Sequence, residues 1–352
     1  MDQDCSETLG AVVREAIEAR RPLRAAGHGS KAFYGDAAGR EPLDLTAHRG
    51  VLGYEPGDMV ITARTGTPLA ELDAVLAAQG QMLGFEPPRF GGRGTLGGAI
   101  AAGLSGPRRP WAGAARDFVL GVRAINGHGQ VVRYGGETIK NVAGYDLARL
   151  YAGSLGAFGV MLDVSLRVLP VPQTELTLVL EPADASADLG RTMIDLQRRP
   201  WPLSGLCRVD GQLRVRLSGT AEGVAAARAQ IGGEELPDGA AFWHALRDWE
   251  LPFFAGAAPL WRISLPPAAP PLDLPGDWLL DWGGAQRWLR SDAAPADVWA
   301  AAAKAHGHAT LMRGGDRAGG VFQPPSAAQA AIEQRLKAEL DPAGVFAGGR
   351  RA

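Results

Sequence analysis

Apolar residues at helical spacing open the chain. Leu9, Val12, Val13, Ala16 and Ile17 fall on one face behind Ser6 and Glu7, which predicts a helix ending before Pro22. A short strand follows over residues 23–26, then the loop Gly27-His28-Gly29-Ser30-Lys31 and a second short strand over 43–45. Residues 60–64 alternate as a strand. Thr67 reads as the cap of a helix reaching Gln79, with Pro68 at its first position and Leu69, Leu72, Val75 and Leu76 on one face. Residues 119–125 and 131–134 predict a hairpin turning at Asn126-Gly127-His128-Gly129, with His128 facing solvent. Residues 140–147 lead into a helix ending near Ala152. The clearest strand covers 160–169, where Val160, Leu162, Val164, Leu166 and Val168 share a face. Pro170 and Pro172 close it, and a domain boundary is placed there.

The second half has a different texture. A strand over 176–180, a helix over 185–197, strands over 206–209 and 213–217 joined by Asp210-Gly211, and a helix over 221–231 give the β-α-β-β-α order of a ferredoxin-like domain. Residues 261–265 and 278–282 predict further strands, separated by a proline-rich linker at 266–271. A helix over 326–340 ends the pattern. Six of the nine tryptophans lie between Trp243 and Trp288, beside Phe253 and Phe254. Such a cluster reads as core, with a docking face as the competing reading.

The strongest local signal is not apolar. Residues 89–117 hold eight glycines (Gly91, Gly92, Gly94, Gly97, Gly98, Gly103, Gly106 and Gly113) around one short apolar run, 99–102. Glycine permits φ > 0 and close approach of a ligand. A row of free amides ending at a helix start binds anions. This stretch is therefore expected to wrap a phosphate-bearing cofactor. Gly92 to Gly97 imitates the G-x-G-x-x-G dinucleotide fingerprint, but Pro87 and Pro88 replace the buried strand it requires. The loop 27–31 suits a pyrophosphate and equally an ordinary glycine turn. Gly153-Ser154-Leu155-Gly156 misses the nucleophile elbow of serine hydrolases by one glycine.

Composition narrows the class. The 352 residues are 46% hydrophobic and 21% charged, with net charge −2, which suits a globular protein of two or more domains. Nothing points to nucleic acid or an anionic membrane surface. Cys5 and Cys207 read as free thiols in a reducing compartment. The first residues lack a signal-peptide pattern and no apolar run spans a membrane. The expectation is a cytoplasmic protein, with peripheral attachment to the inner membrane through partners left open. His48 beside Arg49 reads as a solvated pair. His306 and His308 would share a face on a strand, as metal ligands do, but no third ligand is near. No metal site is expected.

Several blocks together resemble one family. They include SKAFYG at residues 30–35, VITARTGTPL at 60–69, GQMLGFEPP at 80–88, GLSGPRRPWAG at 103–113, RDFVLG at 116–121 and KNVAGYDLARL at 140–150. SGLC, LPFF, LWRISLP, DWGGAQRWL and DPAGVF match in the second half. Across essentially its whole length the chain resembles the FAD-binding E subunits of bacterial glycolate oxidases, within the FAD-dependent oxidoreductases that carry a PCMH-type (vanillyl-alcohol-oxidase-type) domain. The resemblance implies an α+β fold: a two-subdomain PCMH-type FAD-binding domain over 1–170 (subdomains 1–50 and 51–170), a ferredoxin-like cap over 171–325, and a segment over 326–352 returning to the FAD domain. It assigns the first loop, Ala26, Gly27, His28, Gly29, Ser30 and Lys31, to the pyrophosphate. It assigns Thr95, Gly97, Gly98, Gly103, Ser105, Gly106, Gly113 and Asp117 to the ribityl chain and pyrophosphate, and Gly153, Ser154, Gly156 and Val160 to the flavin side.

The resemblance further implies oxidation of glycolate, or a similar small 2-hydroxy acid, in a complex with a second FAD-containing subunit and an iron–sulfur subunit. A stand-alone hydroxy-acid oxidoreductase and a mainly structural subunit are the alternatives. Three departures from the family pattern matter. Gly29 precedes Ser30 where covalent relatives have histidine, so FAD is expected to be non-covalent. The pattern G-H-x-G-D-G-N-x-H is mostly missing at residues 307–316, leaving His308 and Arg313, with His306, as catalytic candidates by type alone. The tail reads Phe346-Ala347-Gly348-Gly349-Arg350 in place of F-N-P-G-R.

Overall fold

The computed structural model describes residues 3–35, 40–136, 146–181 and 189–346. Residues 140–145, the start of the helix expected over 185–197, and the tail from Ala347 lie outside the described residues. The chain divides into two compact units. One comprises residues 1–105, 113–171 and 324–352, the other 106–112 and 172–323.

The first unit begins with α1 (Ser6–Glu18), whose Leu9, Val13 and Ala16 face inward. It lies by a parallel pair, β1 (Leu23–Ala26) and β2 (Glu41–Asp44), in register from Leu23↔Glu41 to Ala26↔Asp44. The chain's end extends this pair: Leu23 N donates to Val345 O at 2.7 Å, and Phe346 bridges Leu23 in parallel. Leu9, Val13, Leu23, Leu43, Val345 and Phe346 form one core with Ile125, Val160 and Leu162. Burying each large aliphatic side chain there contributes about 2 kcal/mol.

A five-stranded antiparallel sheet backs this core. Its order is β3 (Val51–Glu55), β4 (Val60–Arg64), β8 (Val160–Arg167), β6 (Val119–Ile125) and β7 (Val131–Gly135). Beside it run α2 (Leu69–Ala77), α3 (Leu96–Ala102), α5 (Ala115–Phe118), α6 (Leu147–Leu150) and the short pair β5 (Gln81–Met82) with β9 (Leu169–Pro170). Thr67 does not cap α2. The N-cap is Pro68, and the Thr67 hydroxyl instead accepts from Gly50 N at 2.9 Å. A tertiary partner outcompetes the local one, and the helix starts a residue later.

The central strand β8 is buried on both faces. Val160, Leu162, Val164 and Leu166 fill one side. The other carries Asp163 and Ser165, where Thr62 and Ser165 share a 2.8 Å hydroxyl bond. Arg123 pairs with Asp163 across the register and reaches Ser6 Oγ at 2.9 Å. His48 corrects its sequence reading, for it is fully buried here. Its Nδ1 accepts from Cys5 N at 3.0 Å, and its Nε2 lies 3.6 Å from Asp163 Oδ1. The solvated-pair reading missed this because the polar partners, at the start of α1 and on β8, are distant in sequence.

α11 (Ala327–Leu340) starts at a capping box of Ser326 and Gln329. It is anchored through Lys337, whose ammonium donates to Ala157 O at 2.7 Å and Phe346 O at 2.6 Å. Asp341 accepts from Lys337, Val345 N and Phe346 N. This buried carboxylate turns the chain back towards β1.

The second unit is an eight-stranded antiparallel sheet. Its first half holds β10 (Thr174–Leu180), β11 (Leu203–Val209), β12 (Gln212–Gly219) and β13 (Glu234–Glu235), with α7 (Leu189–Gln197) and α8 (Ala221–Ile231). Their order, β13-β10-β12-β11, is the ferredoxin-like arrangement. The second half holds β14 (Leu260–Ser264), β15 (Asp277–Asp281), β16 (Gln286–Arg290) and β17 (His308–Arg313), ordered β15-β16-β14-β17. Numbered within each half, the sheet reads 4-1-3-2 and then 2-3-1-4. α10 (Pro295–Lys304) stands between β16 and β17 as α8 stands between β12 and β13. Between β14 and β15 the second half has the proline-rich loop in place of a helix.

Arg287 fixes that loop by donating to Pro270 O at 2.7 Å and to Ala269 O, and it closes its own turn through Gly284 O. β16 was absent from the sequence reading because Gln286, Arg287 and Arg290 look like solvent-facing residues, yet all three are buried. Five of the six clustered tryptophans, Trp243, Trp249, Trp261, Trp282 and Trp288, are buried in the core, and the sixth, Trp278, is half-buried against it. Trp243 lies on α9 (Gly239–Asp248) and donates to Thr177 Oγ1 at 2.8 Å. The segment carrying α4 (Arg109–Ala112) packs into this unit too. Gly106 O accepts from Trp282 Nε1 at 3.0 Å, and Arg108 pairs with Glu175 at 2.6 Å.

The Asp163 cluster generates a stability prediction. Burial raises the Asp163 carboxyl, but His48 and Arg123 pull it down and prevail, so it sits below the usual carboxylate range. A depressed folded value means the stabilisation is complete above the unfolded value of about 3.9 and is lost as pH falls through the folded one. Asp163→Asn should lower unfolding free energy by about 3 kcal/mol at pH 7 by leaving Arg123 and His48 without a carboxylate. The gap to wild type should narrow below pH of about 4. Urea unfolding at the two pH values measures both; equal stability at pH 7 would refute the role given to Asp163.

Candidate functional site

The site lies in the first unit, where β1 runs out into the loop starting at Gly27. Alternation along β1 sends Leu23 into the core, and the chain then passes a cleft open to solvent. Ala26, Gly27, His28, Gly29, Ser30 and Lys31 line this cleft, with Thr95 and Gly98 opposite. An adjoining pocket of about 430 Å³ shares Ala26, Gly27, Thr95 and Gly98 and adds Gly97 and Gly156. The shared lining makes the two one continuous groove.

Backbone hydrogen bonding decides which part of the groove attracts an anion. Among the described residues, the amides of Gly27, His28, Gly29 and Ser30 have no acceptor. Gly29 holds φ +73°, a left-handed conformation that suits glycine. The start of α3 is different. Leu96 N donates to Thr67 O, Gly97 N to Thr65 O at 2.8 Å, and Gly98 N to the Thr95 hydroxyl at 3.2 Å. The expectation that the glycine-rich stretch presents free amides at a helix start is thus corrected. Its helix start is already satisfied, and the unpaired amides that line the cleft belong to the earlier loop.

The loop and the helix are held at minimal separation. A Cβ on Gly27 would stand 2.7 Å from Thr95 Oγ1 and 3.1 Å from its methyl carbon. Gly97 and Gly98 are helical and do not need positive φ. What requires glycine at 97 is packing, since a Cβ would stand 2.7 Å from Thr65 Cβ. Gly98, Ala101 and Ala102 then form a shallow wall of the cleft. The far end of α3 closes on Gly103, at φ +62°. There Gly153 N donates to Ile100 O and Leu155 N to Ala101 O, both at 2.9 Å, which brings Leu155 and Gly156 to the groove.

Other expected cofactor residues build the frame instead of lining the groove. Gly153 holds φ +82° and Gly103 packs against it. Ser154 is a buried turn-former, donating to Tyr151 O at 2.9 Å. Val160 lies in the core. Ser105 Oγ accepts from Ala115 N, and Asp117 accepts from Ala114 N at 2.8 Å. Gly113, at φ +111°, touches Asp117. Gly106 belongs to the second unit. Residues the sequence reading missed include Arg24, Tyr34, Ala101 and Leu155, all lining the cleft. The small residues at 98, 101 and 102 carried a detectable signal, one flat face at helical spacing.

The electrostatics match an anion. The described lining of the main cleft contains Arg24, His28 and Lys31 and no aspartate or glutamate. The Lys31 ammonium lies 5.5 Å from the Phe90 ring centroid, and Phe90 meets Phe33 edge-on at 5.4 Å. A dinucleotide carrying a diphosphate fits these residues: loop amides and cations for the charge, glycines and alanines for close approach.

The candidate catalytic set does not assemble. His308 and Arg313 occupy opposite ends of β17, about 16 Å apart at strand rise. His306 sits in the preceding turn at φ +59°, so it shares no strand face with His308. Arg313 stacks over Trp249 at 5.3 Å. Among the described residues no three His, Cys, Asp or Glu side chains group as a metal would require. No helix among them is long and apolar enough to cross a membrane.

Comparison with known proteins places the chain among FAD-binding relatives. The family described as FAD binding domain matches residues 4–135. Over 349 residues the chain is 48% identical to glycolate oxidase subunit GlcE of Escherichia coli (strain K12), spanning 99% of this chain and 97% of that one. It is 35% identical over 130 residues to glycolate oxidase subunit GlcD of Bacillus subtilis (strain 168), 36% of this chain and 28% of that one. A solved structure of alkyldihydroxyacetonephosphate synthase has the same fold, with TM-score 0.67 at 13% identity over 100% of this chain and 75% of that one. With a cleft of free backbone donors and a relative this similar from end to end, the chain belongs to the glycolate oxidase subunit GlcE family of FAD-binding proteins.

Proposed function

We propose that this chain is the FAD-binding subunit of a glycolate oxidase complex and holds its FAD non-covalently in the groove between loop 27–31 and α3. The observation that carries the reading is the row of unsatisfied amides at Gly27, His28, Gly29 and Ser30 in a cleft whose described lining has no acid. Bound FAD supplies the hydride acceptor for oxidation of a 2-hydroxy acid. The loop amides bind and orient its diphosphate. The wall of Gly98, Ala101 and Ala102 admits it at close range and excludes water from that side. Thr95 holds α3 in place by capping it.

Substrate oxidation also requires a cation for the carboxylate and a base near the hydroxyl proton. His308 and Arg313 are too far apart to serve one small acid. This favours a division of labour in which a second FAD-containing subunit takes part in oxidising glycolate and an iron–sulfur subunit carries electrons away. With two cysteines the chain cannot ligate a cubane cluster by itself.

Three outcomes test the reading. The purified chain should show a flavin absorbance spectrum, and Gly27→Val should remove it while leaving the far-UV circular dichroism intact, because the branched side chain fills the gap to Thr95. Full flavin content in that variant would refute the placement. Acid precipitation should release the flavin to the supernatant; a mass adduct on a peptide containing His28 would overturn non-covalent binding. Anaerobic mixing of the isolated flavin-loaded chain with glycolate should bleach the flavin slowly or not at all, and partner subunits should restore turnover. Rapid bleaching by the chain alone would make it the dehydrogenase itself.

A further inference from the structure

We infer that Arg24 is a recognition residue for the diphosphate-bearing half of the cofactor, completing the charge complement that the loop amides begin; the inference rests on the FAD reading above. Arg24 sits on β1 between two residues packed with the core, Leu23 and Ala25. It lines the same cleft as the free amides of Gly27 to Ser30. Its Nε is shut off from solvent and has no hydrogen-bond acceptor among the described residues.

An Nε without an acceptor also occurs at Arg167, which stacks over the Phe118 ring, so what sets Arg24 apart is its place in the cleft. Arg108 meets Glu175, Arg123 meets Asp163, and Arg287 and Arg290 are held by backbone carbonyls. Each has an acceptor that explains its burial. The Arg24 Nε has none among the described residues, and the described lining of the cleft it faces offers no carboxylate. A guanidinium carries five donors and no acceptor, so one that lines an open cleft with no acid in its described lining is placed to offer its terminal N–H groups to an external anion. Phosphate oxygens suit it in geometry and charge, since guanidinium–phosphate pairs form two parallel charge-assisted bonds. Read as sequence, Arg24 is an ordinary polar position in a short strand, which is why only its placement reveals the role.

The test uses the full-length apo-protein. FAD and, separately, ADP, which carries the diphosphate without the flavin, are titrated into wild type, Arg24→Gln and Arg24→Lys at low and moderate salt. Arg24→Gln should raise Kd for both ligands by about tenfold or more and flatten the salt dependence, with Arg24→Lys in between. The apo melting temperature should match wild type, while the rise produced by FAD should shrink, as weaker binding dictates. Wild-type affinity for FAD and ADP in Arg24→Gln overturns the inference. So does a lower apo melting temperature with an unchanged FAD-induced rise, since Arg24 would then serve the fold alone. A wild-type protein that takes up no FAD overturns the FAD reading itself, an outcome distinct from failure of the variant.

Discussion

Backbone donors that find no acceptor are the constraint around which the first unit is arranged. The glycine-rich chain brings two sets of amides together, those of loop 27–30 and those that start α3. Thr65 and Thr67 carbonyls and the Thr95 hydroxyl consume the helix set. The loop set is left over. An unpaired amide facing a cleft costs little while water reaches it, and much once a ligand excludes water without replacing the bond. Unpaired amides of this kind favour ligands rich in acceptors, a diphosphate among them.

Holding such a loop requires a rigid frame. β1 is gripped by β2 on one side and by the chain end on the other. The end is itself fixed by Lys337 and Asp341 acting on four backbone groups. Beneath it, β8 is buried on both faces, one apolar and one ionic. The ionic face needs Asp163, Arg123 and His48 together, because removing one charge leaves the others without compensation. The groove's far side depends on α3, which is tied to Leu155 and Gly153 by main-chain bonds.

The second unit solves a different problem. Two four-stranded halves with mirrored strand order join along β11 and β15 into one sheet. Its tryptophans fill the interior, and its buried arginines satisfy carbonyls of irregular loops that no secondary structure pairs. Arg287 does for the proline-rich loop what a helix does in the first half. The polar residues on β17 are spread along the strand, so this unit displays structural arginines and no compact set of acid–base groups among its described residues.

The sequence alone determined the elements whose periodicity is self-contained: α1, β4, β8, the hairpin of β6 and β7, and the β-α-β-β-α run of the second unit. It also carried the family, because long blocks such as residues 103–113 and 60–69 are specific where a six-residue fingerprint is not. Tertiary structure decided the rest, and always for one reason: the partner of a polar group lies far away in sequence. His48 became buried because Asp163 and the Cys5 amide meet it there. Thr67 gave up α2 for Gly50. β16 formed from residues that look exposed because distant carbonyls receive its arginines. The amides that start α3 were satisfied by Thr65 and Thr67, which leaves the amides at Gly27 to Ser30 as the unpaired donors lining the cleft. Apolar spacing is a local property and can be read along the chain. Satisfaction of a donor or a charge is a pairwise property, and it exists only once the fold has brought both partners together.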